Sequence, residues 1–385
     1  MKFLFAYTLI CLHLALQISP AQVPSFFEEE VLDDSLLIGY GLTIGDVDGD
    51  GKPDILLADK KAFVWYRNGD WKRFVMVENL TERDNVCIAA QDINGDGRVE
   101  VAVGAQWNPG ETTDPSLSGS VHFLQRPEDP TQKWSATPLP HVPTIHRMQW
   151  VRRGKASYQL IVLPLHGIGN KGGKGKGVQV LAYSPPGKES ENWTYEVIDS
   201  TMHLTHNFDF QEIGEQSVLY IGGKEGIQGL VNNEGYWIKD VNRFGQDHGF
   251  GEVRLGKGPQ RRKFLAGIEP IHGNTLSVTW MMDRYPIRQV LCTDLDQGHA
   301  LACGDVMGLG SDQIVVGWRN PNSAGEVGIR MYQLSASGDW KMHSIDKDGM
   351  ACEDLKLADL NGDGKLDIVA CGRATKNLKI YWNRI

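Results

Sequence analysis

Three nonapeptides of one design constrain this chain more than any other feature: DVDGDGKPD at Asp46–Asp54, DINGDGRVE at Asp92–Glu100 and DLNGDGKLD at Asp359–Asp367. Each stands between two short apolar runs, GYGLTI and ILLAD around the first, NVCIAA and VAVGA around the second, CEDLKLA and IVACG around the third. Alternating run, tight acidic loop and apolar run read as strand, turn and strand. Four copies with decayed loops begin at Thr144, Leu204, Gly249 and Gly298, making seven in all. Between them an aromatic residue recurs ahead of an aliphatic and often an acid, as in WKRFVMVE at Trp71, WTYEVIDS at Trp193 and WKMHSIDKD at Trp340.

Helical periodicity is almost absent, and 44 glycines supply many turns. Repeats of roughly 40–60 residues with four strands each predict an all-β, seven-bladed β-propeller of four-stranded blades. The front copy of the outer element, FFEEEVLDD from Phe26, precedes the first acidic loop, and the chain ends on LKIYWNRI one strand short of a copy. These ends match if the N-terminal strand completes the last blade, leaving no open sheet edge. A pair of β-sandwiches would not predict matching open ends.

Residues 1–21 read as an export signal: Lys2, then the apolar FLFAYTLICLHLAL, then a small-residue cleavage site after Ala21. The expected product is a secreted or periplasmic monomer, residues 22–385, forming one propeller. No later run approaches the ~20 apolar residues of a membrane helix, so no transmembrane anchor is expected. A net charge of -9 without a long basic run argues against nucleic acid as a partner. Five cysteines remain after the signal, with no CxxC spacing, and are expected as small buried hydrophobes.

In the acidic loops, oxygens at alternate positions converge because glycine lets the chain turn back, and hard oxygen ligands at this spacing suit Ca²⁺. The candidate ligands are Asp46, Asp48, Asp50 and Asp54; Asp92, Asn94, Asp96 and Glu100; Asp359, Asn361, Asp363 and Asp367. A strand rather than a helix follows each loop, so the expected calcium is structural.

The acidic loops join first and second strands, so the starts of the inner strands lie on the opposite face of the ring. Counting back about six residues from each loop, true or decayed, reaches Tyr40, Val86, His146, His203, His248, His299 and Glu353, with His206 and Asp354 close by. The second loop of each blade adds Lys60, Trp107, His166, Lys224, His272, Trp318, Arg319 and Arg373 to that face. A funnel lined by several imidazoles suits proton transfer near neutral pH or a second divalent metal. His146, His166, His203, His248, His299, Arg319, Glu353 and Arg373 are the candidate catalytic groups. Tyr40, Lys60, Trp107, Lys224, His272 and Trp318 are the candidate substrate contacts, Trp107 and Trp318 as stacking platforms for a sugar.

The acidic copies resemble FG-GAP/VCBS repeats, which implies the propeller fold and says little about function. TIHRMQW, LPLHGIG, HLTHNF, DQGHALACGD and residues 351–383 further resemble the propeller of the aldos-2-ulose dehydratase family. That resemblance implies dehydration of a keto-sugar by β-elimination, with a base, an electrophile for the enolate and an acid for the departing hydroxyl. The expected function is therefore a calcium-stabilised, carbohydrate-active lyase or dehydratase. The alternative is a non-catalytic carbohydrate- or protein-binding propeller, and the two differ in whether the histidines share one cavity.

Overall fold

The computed structural model describes residues 26–385 apart from 155–156, 188–191, 215, 234 and 282–285. The expected export signal lies outside the described residues. Seven four-stranded antiparallel sheets follow one another along the chain, each running from an inner to an outer strand. The inner strands are Gly41–Gly45, Cys87–Gln91, Ile145–Arg152, Thr205–Ile213, Glu252–Lys257, Gly298–Gly304 and Cys352–Ala358, in blades 1 to 7. Neighbouring inner strands touch all the way round, blade 7 returning to blade 1. Among the described residues the one helical element is a 3₁₀ turn, Pro259–Arg261.

The ring closes as expected. Phe27–Asp33 is the outer strand of blade 7 and pairs antiparallel with Asn377–Asn383, from Phe27 opposite Asn383 to Asp33 opposite Leu378. Arg384 and Lys379 form ion pairs with Glu28 and Glu29, and the Trp382 indole donates to Glu30.

Seven hydrophobic clusters, one in each gap between adjacent blades, replace a single core. The second strand of blade 1 shows why its run is apolar throughout. Ile55 and Leu57 face blade 7, while Leu56 and Ala58 face blade 2. A strand buried on both faces loses the polar alternation of a one-sided sheet. The free cysteines Cys87, Cys352 and Cys371 are buried, as a small-hydrophobe role requires.

Candidate functional site

The inner strands begin with a shared irregularity. His146, His206, His299 and Glu353 each fall at a register shift, where the strand carries one residue more than its partner. Tyr40, Val86 and Gly251 occupy the same place in blades 1, 2 and 5, their N–H groups bonding the carbonyl opposite the next residue. Such a bulge re-aims one side chain out of the alternation. The shared bulge gathers Tyr40, His146, His206, His299 and Glu353 at one end of the ring, while Val86 packs into the core between blades 2 and 3 and Gly251 has no side chain.

The bulges are linked from blade to blade. His146 donates from Nδ1 to the His206 carbonyl at 2.7 Å, His206 to the Gly251 carbonyl at 2.8 Å, and His299 to the Glu353 carbonyl at 2.6 Å. Each ring uses its Nδ1 proton on backbone of the next blade, so Nε2 carries the lone pair. Blade 5 has glycine at this position, and His272 from its second loop fills the gap. A Cβ on Gly251 would lie 3.1 Å from the backbone nitrogen of His272. His206 Nε2 and His272 Nε2 are 2.7 Å apart, and the His299 ring centroid lies 5.1 Å from both other rings. Ring nitrogens of His206, His272 and His299 come within 4.8 Å of one another, an arrangement able to hold a metal ion. At 2.7 Å the Nε2 atoms of His206 and His272 share one proton, which a bound cation would displace.

The electrostatics keep these rings neutral. Burial, with Arg147 and His206 adding to it, holds His146 well below the usual imidazole value. Burial and Arg319 do the same for His299. Burial lowers His272, which keeps an exposed edge, to about 3, helped by His206 and Arg319. His206 is lowered by burial against the pull of Glu252, whose carboxylate lies 3.3 Å from Nδ1. Neutral and with their Nδ1 protons anchored, His206 and His299 have the usual form of metal-binding histidines.

Around the cluster, Glu353 is buried between two guanidinium groups, Arg319 at 3.3 Å and Arg373 at 3.1 Å. Arg319 also donates to Gln297, and its Nε is buried without a partner. Arg373 lies over the Tyr40 ring, whose hydroxyl donates to Asp84. The Trp107 ring sits 5.1 Å from that of His146. Below the mouth, Arg147, Asp209, Arg254, Asp354 and Lys356 line a cavity of about 330 Å³.

The remaining expected residues are placed differently. His203 turns to Glu225 at 2.8 Å and His248 faces Glu269 at 3.6 Å, both with exposed rings. The half-buried His166 has an unpartnered Nδ1, and its backbone bridges Leu204 at the foot of a hairpin. Lys224 is exposed on that rim and Lys60 is half-buried. Trp318 corrects an expectation. It is buried in the core between blades 5 and 6, donates to the Glu326 carbonyl, and is covered by Arg330, so it offers no face to a sugar.

Counting back from the decayed loops selected His203 and His248 where the bulges hold His206 and Gly251, three residues further on. Lost acids remove the origin of the count, and the nine-residue inner strand Thr205–Ile213 lengthens it. The surviving signal was the alignment of LTHNF with TIHRM, which superposes His206 on His146.

On the opposite face, ligand oxygens of Asp46, Asp48 and Asp50 converge within 4.8 Å. Asp46 and Asp92 each accept two backbone N–H groups of their own loops, and Asp359 accepts three. The ninth-position acids serve the turn. Asp54 accepts from Val47 and Asn68, Asp367 from Leu360 and Asn383, and Glu100 from Ile93 and Asn94. In blade 6 neutral Gln313 takes the same place, accepting from Met307. Burial, with Asp48 and Asp46 adding to it, pushes Asp54 up to about 7, a tension that a bound cation would relieve.

Comparison with known proteins agrees with this architecture. Residues 46–103 match the sequence model of the FG-GAP-like repeat, and residues 118–281 match that of the aldos-2-ulose dehydratase β-propeller domain. Aldos-2-ulose dehydratase of Phanerodontia chrysosporium is 20% identical over 366 residues, covering 85% of this chain and 39% of that protein. The chain thus spans well under half the length of the curated relative it matches. Among solved structures, BBS1N in complex with ARL6DN has a TM-score of 0.58 at 14% identity, covering 94% of this chain and 98% of that one. A chain of the mitotic checkpoint complex has a TM-score of 0.57 at 11% identity, covering 99% and 98%. At such identities the likeness is one of fold.

Proposed function

We propose that this propeller is a secreted carbohydrate-active lyase that dehydrates a keto-sugar in the histidine funnel. The observation that carries the proposal is the His206–His272–His299 cluster, two buried rings and one exposed, whose nitrogens converge at the channel mouth. A divalent cation held by these three rings would supply Lewis-acid polarisation of a sugar carbonyl. His146 is the base: its Nδ1 is committed to the His206 carbonyl, its ring is neutral, and Nε2 carries the lone pair that would take the proton next to the carbonyl. Arg319, with a buried Nε lacking a partner, faces the negative charge that develops on the enolate oxygen. Collapse of the enolate forms the C=C bond and breaks the C–O bond one carbon further on. The proton taken by His146 passes to the departing hydroxyl, so keto-sugar goes to unsaturated sugar plus water. Trp107, beside His146, offers an apolar face for the ring of the sugar.

The test is metal analysis of the purified protein together with ultraviolet absorbance of keto-sugars incubated with it. A divalent metal that is lost in His206→Ala, and a new absorbance that is lost in His146→Ala at unchanged melting temperature, are expected. Sugar binding without any absorbing product would move the protein to the non-catalytic class.

Calcium in the acidic loops belongs to the same proposal. The converging carboxylates of Asp46, Asp48 and Asp50 support it. Chelation should lower the melting temperature, because a ligand bound only by the native state stabilises it by mass action. Asp48→Ala, Asp96→Ala and Asp363→Ala should each remove part of that shift.

A further inference from the structure

We propose that the funnel takes an anionic saccharide, whose carboxylate or sulfate groups are held by a lysine-bearing hairpin at its rim. The inference rests on the funnel being a saccharide site and adds the charge of the substrate. The hairpin is the second loop of blade 3, His166 to Gly177, with the sequence HGIGNKGGKGKG. It carries Lys171, Lys174 and Lys176 on exposed positions, and Lys224 from blade 4 lies against it, close to Gly173. Among the described residues none of the four ammonium groups forms an ion pair. Lys171 feels Glu111 at longer range, and Glu225 beside Lys224 is engaged by His203. Four clustered cations on a chain of net charge -9 run against the average of the molecule.

A glycine-rich basic loop is commonly a solvated tether, but this one is built in. Asn170 is fully buried, and its amide donates to the carbonyls of Lys176 and His203. Lys171 and Lys174 bond each other across a tight turn. A Cβ on Gly167 would lie 2.1 Å from the Lys176 carbonyl oxygen, and one on Gly177 1.8 Å from that of Ser200. The backbone is therefore packed against blades 3 and 4, and the lysines are presented from a fixed base. That base adjoins the histidine cluster: Thr144 bonds His166, and His166 bridges Leu204, two residues before His146 and His206 respectively. Cations held at the mouth would draw an anionic chain in and fix its register.

The experiment is calorimetric titration of the full chain with trigalacturonate, its carboxyl-reduced form, and a sulfated version of the reduced form, at low and high salt. One or both anionic probes should bind about tenfold or more tighter than the neutral one, roughly the worth of one charge-assisted hydrogen bond, and the margin should shrink with salt. Replacing Lys171, Lys174, Lys176 and Lys224 together by Gln should abolish the margin at unchanged melting temperature, and replacement by Arg should keep it. Equal affinity for acidic and neutral probes, failure of all three to bind, or a margin that survives the Gln variant would overturn the proposal. Lysine-dependent binding, with no keto-sugar converted to an absorbing product, would leave it standing and remove the lyase reading. Turnover of a neutral keto-sugar with no acidic preference would do the reverse.

Discussion

Burial holds His122, on the third strand of blade 2, at a pKa of about 4, with His141 adding to the effect. The same cause keeps His146 and His299 neutral. An unfolded chain protonates these rings below about pH 6.5, so in that range the unfolded state binds more protons than the folded one. Their contribution is complete above the unfolded value and is lost as the pH falls through the window below it, by roughly 1.4 kcal/mol per ring per pH unit. The melting temperature of chelator-treated protein should therefore drop between about pH 7 and about pH 5. His122→Gln, far from the funnel, should flatten part of that drop; an unchanged slope would mean that His122 is protonated in the folded state. At this scale the sequence was partly legible. Residue type announced a histidine-rich face, and His146, His299 and Glu353 were located by counting. Trp318 was misplaced because an aromatic at a strand end fits a core gap as well as a rim, and only packing decides which.

The recurring element is a bulged inner strand followed by a self-bonded turn. The bulge matters most where its side chain is missing. Gly251→Ala places a methyl 3.1 Å from the backbone nitrogen of His272 and the Ile271 Cα, so the backbone that carries the His272 ring must give way. Metal affinity measured by chelator competition should fall about 10- to 100-fold, the usual cost of disturbing the support of a ligand, with little change in melting temperature. Unaltered affinity would exclude His272 as a ligand. The turn depends on its ninth residue. Asp367→Ala orphans the N–H groups of Leu360 and Asn383, at about 1–3 kcal/mol for each buried group left unpaired. Asp367→Asn keeps an acceptor oxygen, as Gln313 does in blade 6, and should cost less in calcium-free denaturant titration. Equal losses in the two variants would show that charge, not acceptor geometry, is what the turn needs.

The whole molecule is a ring of seven gap-filling cores, and its one non-covalent seam is in blade 7. Phe27 enters the core between blades 6 and 7, and Phe27–Asp33 covers the edge of the strand Asn377–Asn383. Removing that strand leaves a row of unpaired backbone groups open to a second chain. Aggregation in size-exclusion chromatography and loss of a cooperative thermal transition are expected. A truncated chain melting like the parent would mean that the ring does not depend on its latch.

The sequence by itself determined the class, blade number and closure of the ring, because turn chemistry and strand patterning are local and seven-fold repetition multiplies a weak signal. It also located the acidic loops, whose spacing of acids and glycines is a property of nine consecutive residues. Tertiary structure alone decided which imidazoles meet. His206, His272 and His299 come from three blades and are brought together by bulges and by the missing side chain of Gly251. A bulge adds one residue to a strand without changing its composition, and its effect appears only when the neighbouring blade supplies the carbonyl that receives the Nδ1 proton.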